Sequence, residues 1–174
     1  ELDEKKKTLK VIDNGIGYFV PDNFEEVDAV EREAAKRGIK QKLLLRITPG
    51  IDPHTYAAVA TGKVDSKFGS AIETGQASEI VDFTLRQTHI DLVGFHCHVG
   101  SQCFDSNSFI DAVEIMLTFI RDCKTLFGYT TEILNLGGGF GIWYASNAGS
   151  CLGNRRDFCC GRNAYRGKRC PGDR

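Results

Sequence analysis

Asp91-Leu92-Val93-Gly94-Phe95-His96-Cys97-His98-Val99-Gly100-Ser101-Gln102 begins as a strand and ends in residues suited to a site. Residues 91–98 are a run with β-branched and aromatic members, and polar, glycine-bearing residues follow at once. The same change occurs twice more. Residues 42–47 (KLLLRI) are near-continuously apolar, as in a strand buried on both faces, and pass through Arg46 into Thr48-Pro49-Gly50. Residues 132–136 run into Gly137-Gly138-Gly139. A fourth short apolar run, residues 16–20, reads as another strand.

Helical patterns lie between these runs. Asp22 and Glu25 form a capping-box pattern, and Phe24, Val27, Val30, Ala34 and Ala35 keep helical spacing up to Arg37, where Gly38 ends the helix. Residues 79–85 read as a helix. Ser106 or Ser108 caps a longer one with an apolar face of Phe109, Val113, Met116, Leu117 and Ile120, closed by Gly128. Strands alternating with helices predict parallel strands joined by helical crossovers, the α/β class. A doubly wound sheet and a (β/α)8 barrel both satisfy that order. The polar and glycine-rich segments sit after the strands, at Arg46 onward, 98–102 and 137–141, where barrel enzymes place their sites. No glycine fingerprint joins a strand to a helix near the start. The barrel is therefore the expected fold. A whole barrel needs about 250 residues. Four strands are then about half of one, with unpaired edges, and the expectation is a barrel truncated at both ends.

The chain has 174 residues and a formal net charge of -1. That balance conceals a split. Residues 1–144 hold 15 Lys/Arg and 21 Asp/Glu, a net of -6, whereas residues 145–174 hold 7 and 2, a net of +5. The latter also contain four of the seven cysteines, and their large apolar residues are Leu152, Phe158 and Tyr165, too few for a core. Two parts follow: a barrel domain at 1–144 and a basic, cysteine-rich tail at 145–174. The abrupt change after Trp143-Tyr144 suggests a wrong reading frame or a disordered extension. A zinc knot from Cys151, Cys159, Cys160 and Cys170 lacks any Cys-x2–4-Cys pair, and a basic nucleic-acid tail is the other rival. No apolar run reaches the roughly 18 residues of a membrane span, and residues 1–10 lack the apolar core of a signal peptide. The expected location is the cytoplasm, with neither membrane nor nucleic acid as a partner.

Four features could carry chemistry. Gly137-Gly138-Gly139 after a buried strand could aim successive N–H groups at a phosphate, or be a plain tight turn; no Gly-Lys-Ser/Thr follows, so it is not a Walker loop. His96 and His98 lie two apart on a strand and point the same way. Phe95 and Cys97 suit outer helices, so the histidines face inward. They could be satisfied core residues, two ligands of a metal-dependent barrel hydrolase, or a flat imidazole stacked on a cofactor ring. Zinc would need a further ligand, and Asp105 and Glu132 lack signature spacing. Arg46, charged at the end of an apolar strand, is expected to meet a buried anion. The long connection 48–69 has the length of a functional loop. In it Asp52-Pro53-His54-Thr55 reads as a turn. Lys67, in a loop rather than at a strand end, reads as a surface or anion-pairing lysine rather than a Schiff-base one.

Together these motifs resemble one family. Leu45-Arg46-Ile47-Thr48-Pro49-Gly50-Ile51-Asp52-Pro53-His54-Thr55, Thr61-Gly62, Ser66-Lys67-Phe68-Gly69, Gly94-Phe95-His96-Cys97-His98-Val99-Gly100-Ser101-Gln102 and Leu136-Gly137-Gly138-Gly139-Phe140-Gly141-Ile142 are similar, in order, to motifs of the diaminopimelate decarboxylases. These belong to the alanine-racemase-like, fold-type III decarboxylases that use pyridoxal 5'-phosphate (PLP). Ornithine and arginine decarboxylases share the histidine and triple-glycine elements, usually without the Asp-Pro-His-Thr stretch; carboxynorspermidine decarboxylases share much of the pattern. The resemblance implies a PLP-binding barrel that takes meso-diaminopimelate to L-lysine and CO2. It implies that His98 stacks on the pyridine ring and that Ser101 and Gly137, Gly138 and Gly139 bind the phosphate, with Arg46 beside them. It also implies an amino-acid substrate and a homodimer with shared active sites. The family's Schiff-base lysine lies before the matched region, and residues 1–14 do not reproduce it. Its later phosphate loop, glutamate and cysteine loop are not matched either. The chain alone is therefore expected to be inactive; the alternative is a non-catalytic binding protein of the PLP fold.

Overall fold

The computed structural model describes residues 12–51, 68–104 and 106–142. The sequence readings at Asp52-Pro53-His54-Thr55, Thr61-Gly62, Ser66-Lys67, Asp105 and the whole of 145–174 lie outside the described residues.

Helix α1 (Phe24–Arg37) buries Val27, Val30 and Ala34 and ends at Gly38 in the left-handed region, φ 63°. Its cap sits one residue later than the sequence suggested. Asn23, in extended conformation, accepts from the Glu26 N–H, and the Glu26 carboxylate accepts from the Asp22 N–H. The cap is thus Asn23, with Glu26 reaching back to the Asp22 N–H, rather than a pair of Asp22 and Glu25. Starting there lets Val27, Val30 and Ala34 share the inward stripe.

Strand β1 (Gln41–Thr48) is the sheet's centre, in the order β2-β1-β3-β4, all parallel, with β2 at Ser70–Ala71, β3 at Ile90–His96 and β4 at Ile133–Asn135. One edge of β1 takes β3. The other is shared. Residues 42, 44, 46 and 48 turn their polar backbone groups the same way, toward Phe19, Pro21 and Ile72. The expected strand at 16–20 shrinks here to a single bridge, Phe19 to Leu43. Pro21 has no N–H to continue the ladder.

The β1–β3 register slips once. Leu43 lies opposite Leu92, yet Leu44 lies opposite Gly94. This bulge breaks strict alternation in β3. Leu43, Leu45 and Ile47 join Leu92, Phe95 and Cys97 in one apolar layer. Helices α1, α2 (Gln76–Leu85) and α3 (Ser106–Phe127) supply the rest of it: Val27 and Val30, then Ala77, Ile80 and Val81, then Met116, Phe119 and Cys123. The ring of Phe95, fully buried, meets Phe119 and Tyr129 edge-on at 5.3 and 5.9 Å. Phe95 and Cys97 therefore face the helices, as expected. Gly94 lies so close to β4 that a Cβ there would sit 1.9 Å from the Ile133 carbonyl oxygen.

Helix α3 departs from expectation in its buried face. Phe109, Ala112, Met116, Phe119 and Cys123 are buried, whereas Leu117 is 54% exposed. The stripe keeps a 3.6-residue period, but two of its members are small and carry little hydropathic weight. Ser108 is buried inside the helix and so does not cap it. Among the described residues, no helix is long and apolar enough to cross a membrane.

Candidate functional site

A polar row crosses the sheet near the carboxyl ends of its strands. Arg46 of β1 is in register with His96 of β3, and His96 with Asn135 of β4. The Arg46 guanidinium reaches the Asp22 carboxylate at 3.4 Å and lies over the Phe68 ring, 4.8 Å from its centre. The anion foreseen for Arg46 is thus met, among the described residues, by Asp22. The His96 Nδ1 is buried without a hydrogen-bond partner among the described residues. Burial pushes the His96 pKa down; Asn135 acts against this, and the Arg46 charge adds to it.

Two residues beyond His96, His98 meets the triple glycine. The Gly138 N–H donates to His98 Nδ1 at 3.4 Å. A Cβ on Gly137 would lie 2.8 Å from that nitrogen and 2.7 Å from the Cys97 carbonyl oxygen. One on Gly139 would lie 1.7 Å from the Gly100 carbonyl oxygen. Gly137 and Gly139 also have φ of 73° and 93°, where side chains are strained. The glycines thus let one backbone lie directly on another. Ser101 follows Gly100 at this contact and is half-buried. The sequence suggested that successive glycine N–H groups converge on an anion. The first two instead turn inward, Gly137 N–H to Asn135 Oδ1 at 2.8 Å and Gly138 N–H to His98.

Burial, then the Arg46 charge, lowers the His98 pKa. With Nδ1 accepting from Gly138, the neutral ring carries its proton on Nε2. Burial also pushes the Cys97 thiol up to about 11, so it is neither thiolate nor ready ligand at neutral pH. Among the described residues, no three His, Cys, Asp or Glu side chains gather where a metal could be held. The lowered histidine values set a pH dependence. The unfolded chain takes up protons at His96 and His98 near the ordinary 6.5, and the folded chain only at lower pH. Stability is therefore expected to fall as pH drops from about 6.5 toward the folded values. Urea midpoints should show this, and His98→Gln should flatten the slope. An unchanged slope would mean that His98 titrates normally.

Three residues that motif reading did not single out hold the site. Asn135 anchors Gly137. Gln102 pairs its amide with the backbone of Ile142. Phe140 stacks on Phe109 of α3 at 4.4 Å. Asn135 was only a strand residue in the sequence, and Gln102 only part of a motif.

Residues 4–153 match the family model described as pyridoxal-dependent decarboxylase, pyridoxal binding domain. The chain belongs to this family. It is 39% identical over 143 residues to the diaminopimelate decarboxylase of Bacillus subtilis, covering 82% of the chain and 33% of the relative. The diaminopimelate decarboxylase of Bacillus methanolicus is 39% identical over 133 residues, 76% of the chain and 31% of the relative. Among solved structures, the M. jannaschii diaminopimelate decarboxylase in co-complex with L-lysine superposes with a TM-score of 0.73 at 31% identity. That match covers 83% of the chain and 33% of the neighbour. The Helicobacter pylori enzyme gives 0.75 at 26%, covering 83% and 36%. The chain spans about a third of the length of the curated relatives it matches. Its parallel sheet is part of the PLP-binding barrel of this family, and PLP is the family's cofactor.

Proposed function

We propose that the chain forms one wall of a PLP site in an enzyme that decarboxylates meso-diaminopimelate to L-lysine and CO2. The observation that carries this reading is the His98 imidazole held against the triple glycine. A flat, neutral ring beside a backbone surface where no Cβ fits at Gly137 or Gly139 suits a planar cofactor with a phosphate arm. In this role His98 packs against the pyridine face. Burial and Arg46 keep its ring uncharged, and Gly138 fixes its tautomer. The Ser101 hydroxyl and the N–H groups of the 137–139 turn would bind phosphate oxygens, which requires the turn to release an inward bond or to use its later donors. Arg46, steadied by Asp22 and Phe68, adds positive charge at the same level. PLP, when bound, supplies the electron sink for loss of CO2. The similarity to diaminopimelate decarboxylases supports the diaminopimelate branch.

The same reading carries an amino-acid substrate, a homodimer with shared active sites in the full-length enzyme, a cytoplasmic location, and a division into a barrel piece at 1–144 and a separate tail. The test is CO2 release by a full-length protein containing this segment. meso-Diaminopimelate should be turned over far faster than ornithine, arginine or carboxynorspermidine, and His98→Ala should weaken PLP retention. Preference for another of these substrates would move the assignment to that branch. The 174-residue chain with added PLP should release no CO2 from diaminopimelate; release would show a complete site here.

A further inference from the structure

Two loops meet at the site, residues 97–104 after β3 and 136–142 after β4. Their backbones pair at one bridge: Cys103 N–H donates to the Gly139 carbonyl at 2.8 Å, and Gly141 N–H to the Cys103 carbonyl at 2.9 Å. Beside it, the Gln102 Oε1 accepts from the Ile142 N–H at 2.9 Å, and Nε2 donates to the Ile142 carbonyl at 3.4 Å. Gln102 has φ 55°, and it is the non-glycine residue with positive φ among those described. A side chain is rarely placed there, and such outliers cluster where the surroundings demand a fixed shape.

Resting on the proposed PLP reading, we infer that Gln102 is a positioning residue. Its two-point amide clamp holds the 137–142 segment against the 97–104 loop, so that Ser101 and the triple glycine together accept the phosphate of PLP. The Phe140–Phe109 stack anchors the same segment on α3. The clamp therefore governs the phosphate end and leaves the ring contact to His98.

The experiment combines amide hydrogen exchange with titration by PLP and by pyridoxal, which lacks the phosphate, on the 174-residue chain. The variants are Gln102→Ala and Gln102→Gly. Glycine removes the clamp and tolerates φ 55°, so it separates lost bonding from backbone strain. Both variants should speed exchange at Ile142 about tenfold, the scale of one hydrogen bond, and leave β1 and α2 amides unchanged. PLP affinity should fall about tenfold and pyridoxal affinity less than twofold. Unchanged exchange at Ile142, or slow exchange restored by glycine, overturns the clamp. Equal loss of both ligands overturns its restriction to the phosphate end. If the unaltered chain does not favour PLP over pyridoxal, the cofactor reading fails and the phosphate role of Gln102 with it; exchange then still reports on the clamp separately.

Discussion

Gly139→Ala is expected to destabilise the chain by about 3 kcal/mol and to remove PLP binding, whereas Gly138→Ala should change stability by only about 0.5 kcal/mol. The two positions are neighbours in one tripeptide, so composition cannot separate them. Geometry does. At Gly139 a methyl group would lie 1.7 Å from the Gly100 carbonyl oxygen, and φ is 93°. The obstacle is backbone and cannot swing aside. At Gly138 nothing lies within 4 Å of the added carbon, and φ is ordinary. Urea unfolding of both variants, with a PLP titration of Gly139→Ala, makes the comparison. Equal stabilities would mean that the two loops do not lie in contact as described.

Gly94→Ala should be at least as damaging, for a different reason. The glycine is in mid-strand, where its usual effect is only a modest weakening. Here the added carbon would lie 1.9 Å from the Ile133 carbonyl oxygen and 2.8 Å from its carbonyl carbon. β4 would have to move away from β3, breaking the pairs Gly94 to Ile133, Phe95 to Leu134 and His96 to Asn135. Asn135 would then no longer hold Gly137. A loss of about 3–4 kcal/mol is expected, at the upper end for point substitutions. Hydrogen exchange should rise first at Glu132, whose N–H donates to the Val93 carbonyl, and at Cys97, whose N–H donates to the Asn135 carbonyl. A variant with native stability and protected β4 amides would contradict the close approach of the two strands.

The sheet and its helices were legible where apolar periodicity was strong. Residues 24–37 and 42–47 declared themselves through unbroken patterns, and Gly38 and Gly128 marked two helix ends. Misses occurred where a small or versatile residue did the work. Ala112 and Cys123 lie on the buried face of α3, but Leu117 carried more apolar weight and drew the stripe toward itself. Asn23 outcompeted Asp22 as a cap because either residue type serves. The strand at 16–20 looked ordinary until Pro21 ended it. For the site, His98 and the triple glycine were visible separately, and the contact between them was not. A glutamine gives no sign that it will adopt a positive φ, so Gln102 was hidden inside its own motif. The bulge at Val93 is invisible in sequence, although it keeps Phe95 and Cys97 toward the helices.

The contact between the loops also bears on the order of folding. His98 and Gly138 are 40 residues apart in sequence, as are Gln102 and Ile142. The intervening chain must form α3, lay it across the sheet and return as β4 before either pair can meet. Closing that span costs entropy that only later contacts offset. β1 and β3 pair across a longer span still, Gln41 to Ile90, so the cofactor wall belongs with the sheet's long-range contacts rather than with the local helices. A ligand that grips both loops would then act as a kinetic latch, slowing the reopening of this late-formed crossover.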